Sequence, residues 1–141
     1  MEYRSLGRTG LEVSCIAFGT DNFLDPTPEK ESTEMLNRAL DAGVNLLDTG
    51  DVYAGGEGEK MIGRALKANG RRHEALLCTK VDHGGSTPGV SLDDEVPELA
   101  PNMQHGNSRY SIIRTCENSL RKFQTDYIDI YLIHRLSWEI P

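Results

Sequence analysis

At 141 residues the chain has about one domain's worth of length, enough for a single sizeable core and too little for two independent ones. A hydrophobic content of 38% beside 26% charged residues excludes a disordered polymer, and a net charge of -7 argues against a general affinity for nucleic acid or an anionic membrane. Cys15, Cys78 and Cys116 are widely spaced without a C-x-x-C, which excludes a disulfide framework and a zinc ribbon and points to reduced thiols.

Turn residues from Gly7 to Gly10, flanked by apolar positions, predict a short hairpin over residues 3–13. Residues 14–18, SCIAF, read as a first buried strand closed by Gly19. The stretch DPTPEKESTEMLNRALDAG then reads as a helix. Thr27 is its expected N-cap, Pro28 its first residue, Met35, Leu36, Ala39 and Leu40 its apolar stripe, and Gly43 its stop.

A second strand over 44–47 runs into Asp48, and a second helix over 57–68 carries Met61, Ile62, Ala65 and Leu66 at helical spacing, with Gly70 beyond. Residues 75–79, ALLCT, form a third strand ended by Lys80. The stretch from 81 to 107, rich in Pro, Gly, Asp and Ser, reads as a loop of the length that usually carries function. Ser108 is the expected cap of a third helix with Ile112, Ile113, Cys116, Leu120 and Phe123 on one face, and residues 128–133 give a fourth strand ended by His134.

Strands alternating with helices imply parallel pairing through crossovers, and apolar runs without alternation imply a sheet covered on both faces. A doubly wound open sheet and part of a β/α barrel both fit. No G-x-G-x-x-G follows the first strand, which disfavours a dinucleotide-binding Rossmann unit.

The second, third and fourth strands end in Asp48, Lys80 and His134, with Tyr53 in the loop after Asp48. In a β/α barrel the catalytic residues come from such strand ends. Singly, an aspartate there is more often a cap, a tyrosine a half-buried aromatic and a histidine a satisfied core residue. Together they make a proton-transfer set. A phenol is a poor acid near neutrality unless a cation stabilises the phenolate, Lys80 supplies that cation, Asp48 holds it charged, and His134 orients a substrate oxygen. The chemistry expected is protonation of an oxygen on which negative charge develops, as when hydride attacks a carbonyl carbon.

In order and spacing, LGRTGLEVSCIAFGT, LLDTGDVYAGGEGEKMIGRALK, LLCTK and TDYIDIYLIHR resemble the signature of the aldo-keto reductases, which are β/α barrels that reduce carbonyls with NADPH. The match is most specific from Asp48 and Tyr53 through Gly55, Gly56 and Glu59 to Gly63. The resemblance implies a TIM-type parallel barrel of which the first four βα units and a short N-terminal hairpin are present, so that residues 1–141 are an incomplete domain. It implies Tyr53 as general acid, Asp48 and Lys80 as the groups that tune it, His134 as the residue that orients substrate, and Gly19, Thr20 and Asp48 as cofactor contacts beneath the nicotinamide. Ala54, Gly58, Asp21 and Leu136 depart from the common pattern, and Asp21 stands where an apolar or aromatic residue usually lies near the substrate.

A complete barrel takes about 250 residues. The resemblance therefore implies a truncated product or fragment of a longer reductase, with most of the cofactor site in the absent half, and open barrel edges would then be expected to drive self-association. The expected partner is a small-molecule carbonyl compound, with neither nucleic acid nor membrane. No stretch approaches the roughly 18 apolar residues of a membrane span and the start lacks a secretory core, so the expected location is the cytoplasm.

Two other readings compete. One is a non-catalytic binding protein on the same scaffold, as in the potassium-channel β subunits of this superfamily. The other is a metal-dependent barrel enzyme using Asp48, Asp51, Asp82 and His83, disfavoured by the lack of compact ligand spacing; no metal is expected. Arg71 and Arg72, between a helix end and a strand start, are expected on the face opposite the site.

Overall fold

The computed structural model describes residues 1–81 and 108–135. Strands β1 (Tyr3–Ser5) and β2 (Glu12–Ser14) form the antiparallel hairpin expected from the turn glycines. Then β3 (Ala17–Gly19), β4 (Leu46–Asp48), β5 (Leu76–Val81) and β6 (Ile130–Ile133) make a four-stranded parallel sheet in sequential order. Helices α1 (Glu29–Asp41), α2 (Glu57–Asn69) and α3 (Arg109–Phe123) connect successive strands. The loop expected from residue 81 begins one residue later, Val81 ending β5, and the rest of it, 82–107, with Asp82, His83 and His105, lies outside the described residues, as does Leu136.

The pleat sorts the strands' side chains. Leu47 of β4 and Leu77, Thr79 and Val81 of β5 are fully buried against the helices, where Leu36 and Leu40 of α1, Met61, Ile62 and Leu66 of α2 and Phe123 of α3 complete the core. Asp48, Cys78 and Lys80 alternate with them and so point to the other face of the sheet. Register places Gly19 beside Asp48 and Asp48 beside Cys78.

Element boundaries and buried faces differ from the expectations in physically informative ways. The first strand begins at Ala17 because Ser14 belongs to the hairpin, where its N–H donates to Asn45 Oδ1 at 2.7 Å. The fourth begins at Ile130 because the Asp129 carboxylate turns away to accept from Leu77 N–H at 2.9 Å and Arg72 Nη2 at 2.8 Å.

Thr27 does not cap α1: Pro28 holds the N-cap with an extended ψ of 151°, and it is the Thr27 carbonyl that accepts the Ser32 hydroxyl, at 3.2 Å. Met35 is exposed, and the buried stripe runs through Ser32, Leu36 and Leu40, four residues apart. Ser108 does cap α3, its hydroxyl accepting from Ser111 N–H at 3.2 Å.

The buried face of α3 is not the expected aliphatic one. Ile113 is exposed, and Ser111, Asn118, Ser119 and Lys122 join Phe123 inside. The reason is the closeness of α2. A Cβ built on Gly63 would stand 2.6 Å from the Lys122 and Phe123 carbonyl oxygens, so the two helices meet almost backbone to backbone, which suits small residues better than branched ones. The obstructing atoms are main chain and cannot rotate aside. Gly63→Ala is therefore expected to destabilise the fold by about 1–3 kcal/mol or to prevent it forming, read as a lowered urea midpoint.

Candidate active site

Strand β4 delivers Asp48 to the C-terminal edge of the sheet, and the backbone around it is tightly held. Thr20, just past β3, donates both its N–H (3.0 Å) and its hydroxyl (3.1 Å) to the Asp48 carbonyl, and Thr49 N–H donates to Cys78 O at 2.8 Å. The chain then turns through a short 3-10 segment, Tyr53–Gly56, in which Ala54 has φ 50° and Gly55 φ 65°. A left-handed alanine costs on the order of 1 kcal/mol or more. The turn points the Tyr53 phenol back over the sheet rather than outward.

Lys80 Nζ lies under that phenol. It donates to Asp48 Oδ2 at 2.9 Å, to the Thr49 carbonyl at 2.5 Å and to Tyr53 Oη at 3.3 Å. An ammonium has three protons, and three oxygens take them. Because the phenol oxygen accepts from Lys80, its own proton remains available for donation elsewhere. Burial works to lower the Lys80 pKa, but the hydrogen bonds to Asp48 and Tyr53 and the charges behind them outweigh it, so the group sits above the ordinary 10.5.

His134 follows β6 directly, its N–H donating to Val81 O at 2.8 Å. Its ring meets that of Tyr53 edge-on at 5.7 Å and 73°, and its Nδ1 is buried with no hydrogen-bond partner among the described residues. All four residues predicted as catalytic, Asp48, Tyr53, Lys80 and His134, are therefore brought together at one rim. Arg71 and Arg72 lie at the other end of β5, where Arg71 pairs with Asp41 and Glu74, and Arg72 with Asp129.

Tyr53 and His134 line a cleft of about 500 Å³ shared with Asp21, Asn22, Asp25 and Arg135. Of these wall residues the sequence singled out only Asp21. Asn22 and Asp25 follow it in the loop after β3, and the rule that barrel sites are built from such loops was the signal available for them. Gly19 offers open space: an added Cβ would meet nothing within 4 Å. Thr20 is buried with its hydroxyl committed to Asp48, so it shapes the strand end rather than offering a donor. Among the described residues no group of three metal-ligating side chains converges.

A family model described as "Aldo/keto reductase family" matches residues 15–141. Aldo-keto reductase YhdN of Bacillus subtilis is 38% identical over 100% of this chain and 39% of that protein. A probable voltage-gated potassium channel subunit beta of Oryza sativa is 34% identical over 96% of this chain and 38% of its own. The crystal structure of a thermostable aldo-keto reductase, Tm1743, superposes with a TM-score of 0.77 at 32% identity, covering 100% of this chain and 45% of that one. The chain thus spans less than half the length of these relatives, and its four-stranded sheet corresponds to part of a β/α barrel.

Cys78 gives the inner face of the sheet a titration of its own. Burial first, and then the Asp48 carboxylate, push its thiol from 9.0 up to about 11, with Lys80 opposing. The unfolded chain releases that proton at lower pH than the native one, so stability must fall as pH rises from 9.0 to about 11. Cys78→Ala should remove this part of the decline, seen by comparing urea unfolding free energies of the two proteins across that interval.

Proposed function

The chain belongs to the aldo/keto reductase family, and from that premise we propose that it carries the proton-donating half of a reductase that converts an aldehyde or ketone to an alcohol with NADPH. The observation that supports this most directly is the Asp48–Lys80–Tyr53 chain, with links of 2.9 and 3.3 Å, ending in a phenol that lines the cleft.

NADPH would supply the hydride when bound. The residues present suit a flat ring against the sheet end: Gly19 leaves its Cβ position open, in register with Asp48, and Thr20 and Asp48 fix the backbone beneath it. Tyr53 donates its proton to the carbonyl oxygen. The Lys80 ammonium then holds the negative charge left on the phenol oxygen, and Asp48 keeps Lys80 protonated and aimed. His134, edge-on to Tyr53, orients the carbonyl by hydrogen bonding beside the phenol. The polar wall of Asp21, Asn22 and Asp25 favours a carbonyl compound with hydrogen-bonding substituents over a purely hydrocarbon one. Three unpaired cysteines suit a reducing cytoplasm, and among the described residues no helix is long and apolar enough to cross a membrane.

A second reading, partner binding without turnover, draws support from the similarity to the probable potassium channel subunit beta. The two part at Tyr53. As a reductase, the protein oxidises NADPH in a carbonyl-dependent way, and Tyr53→Phe lowers that rate about 100-fold or more while saturable quenching of cofactor fluorescence persists. Equal turnover in Tyr53→Phe would sink the acid assignment, and cofactor binding with no carbonyl turnover in either protein would favour the binding reading.

A further inference from the structure

Behind the site lies a second set of buried polar groups that touches no part of the cleft. Glu59, in the first turn of α2, is fully buried. Its Oε1 accepts the hydroxyl of Thr79 at 2.7 Å, and its Oε2 lies 3.4 Å from Lys122 Nζ on α3. Thr79 is itself fully buried and the Lys122 side chain is only 5% exposed. Desolvating a carboxylate and an ammonium costs several kcal/mol each, and an apolar pair of the same volume often serves stability as well or better. Stability alone is therefore a poor account of this pair, and fixing a geometry is a better one.

Each partner of Glu59 leads to one half of the acid. Thr79 immediately precedes Lys80 on β5, and the pleat turns their side chains to opposite faces, so anchoring Thr79 sets the height and register of Lys80. Lys122 leads to Tyr53. A Cβ built on Gly56, the last residue of the turn that Tyr53 begins, would lie 2.7 Å from Lys122 Nζ, so the ammonium fills a notch that only glycine leaves open, at a φ of +90°. The Lys122 main chain is held close to α2, where a Cβ built on Gly63 would stand 2.6 Å from its carbonyl oxygen.

We infer that Glu59, Thr79 and Lys122 form a buried positioning clamp in which one carboxylate ties the strand carrying Lys80 to the back of the turn carrying Tyr53, and so fixes the spacing between phenol and ammonium. The inference rests on reading Tyr53 and Lys80 as the acid and its partner. The Lys80–Tyr53 hydrogen bond, at 3.3 Å, is already slightly beyond the usual range for an N–H donor, so a drift of a few tenths of an ångström breaks it. The bond from Lys80 to Asp48 reaches the neighbouring strand β4, on which the clamp has no member, and at 2.9 Å it tolerates such a drift.

The test uses the isotope-labelled chain and the NMR titration of Lys80 Nζ, with circular dichroism and urea unfolding as the check on folding. Thr79→Val removes the hydroxyl at nearly constant volume. Asp48 and Cys78, the titratable neighbours of Lys80 on the same sheet face, are left in place, as are Tyr53 and His134. The clamp requires the Lys80 midpoint to fall measurably in folded Thr79→Val, because the phenol contact is lost and burial then counts for more, and to return in Thr79→Ser. A Lys80 midpoint unchanged from the parent in the folded variant, whatever happens to the urea midpoint, would show Thr79 to be structural only and overturn the inference. Should Thr79→Val not fold, Lys122→Gln, which keeps a donor near Glu59 without the charge, is read by the same criterion. The readout involves no turnover: a shifted Lys80 midpoint with equal turnover in Tyr53→Phe would sink the reductase reading and keep the clamp, and the reverse pair of results would sink the clamp alone.

Discussion

One ammonium group organises this structure. Lys80 Nζ is nearly out of solvent and has a partner for each proton: a carboxylate from the end of β4, a carbonyl from the next residue, and a phenol from the turn beyond. An unpartnered charge in that place would be prohibitive. Asp48, the last residue of β4, must therefore lie within reach of Lys80, two residues beyond its register partner Cys78 on β5, and the Tyr53 turn must fold back instead of running on, even at the expense of a left-handed alanine. The hydrogen bonds from Thr20 to the Asp48 carbonyl and from Thr49 to Cys78 hold the three strands in that register.

The sheet separates two kinds of interior. On the helix side the strands contribute Leu47, Leu77 and Val81 to an apolar core closed by α1, α2 and α3. Among the polar groups buried there, Glu59 is bonded to Thr79 and paired with Lys122. On the other side the same strands present Asp48, Cys78 and Lys80. Period-two alternation thus lets six residues of β5 serve packing and chemistry at once, and a slip of one residue would exchange the two roles.

Much of this was legible in the sequence, for identifiable reasons. Asp48, Lys80 and His134 stood out because each ends an apolar run, and in parallel strands joined by helices those ends must lie on the same side. Tyr53 followed from its place in the turn after Asp48. What stayed hidden depends on distances between elements that are remote in sequence. The polar face of α3 could not be foreseen from Ile112, Ile113 and Leu120, since it is imposed by the approach of Gly63 on α2. Glu59 stood in the sequence only as one position of the Asp48-to-Gly63 pattern, and its burial between Thr79 and Lys122 needed the fold to show it. At α1 the local signal itself misled: Thr27-Pro28 has the composition of a capped helix start, yet the extended ψ of Pro28 delays the helix to Glu29.

The compactness of the acid along the chain bears on folding and descent. Asp48 and Lys80 are separated by 32 positions and Tyr53 lies between them, so the set closes through a single strand-helix-strand unit. The entropy of closing such a loop rises only slowly with its length. The Asp48–Lys80–Tyr53 set, the proposed proton donor, is therefore complete within that one unit. A unit of that kind is also inheritable in one piece: loops and distal strands can diverge around it, changing what is bound, while the spacing of the three side chains is kept.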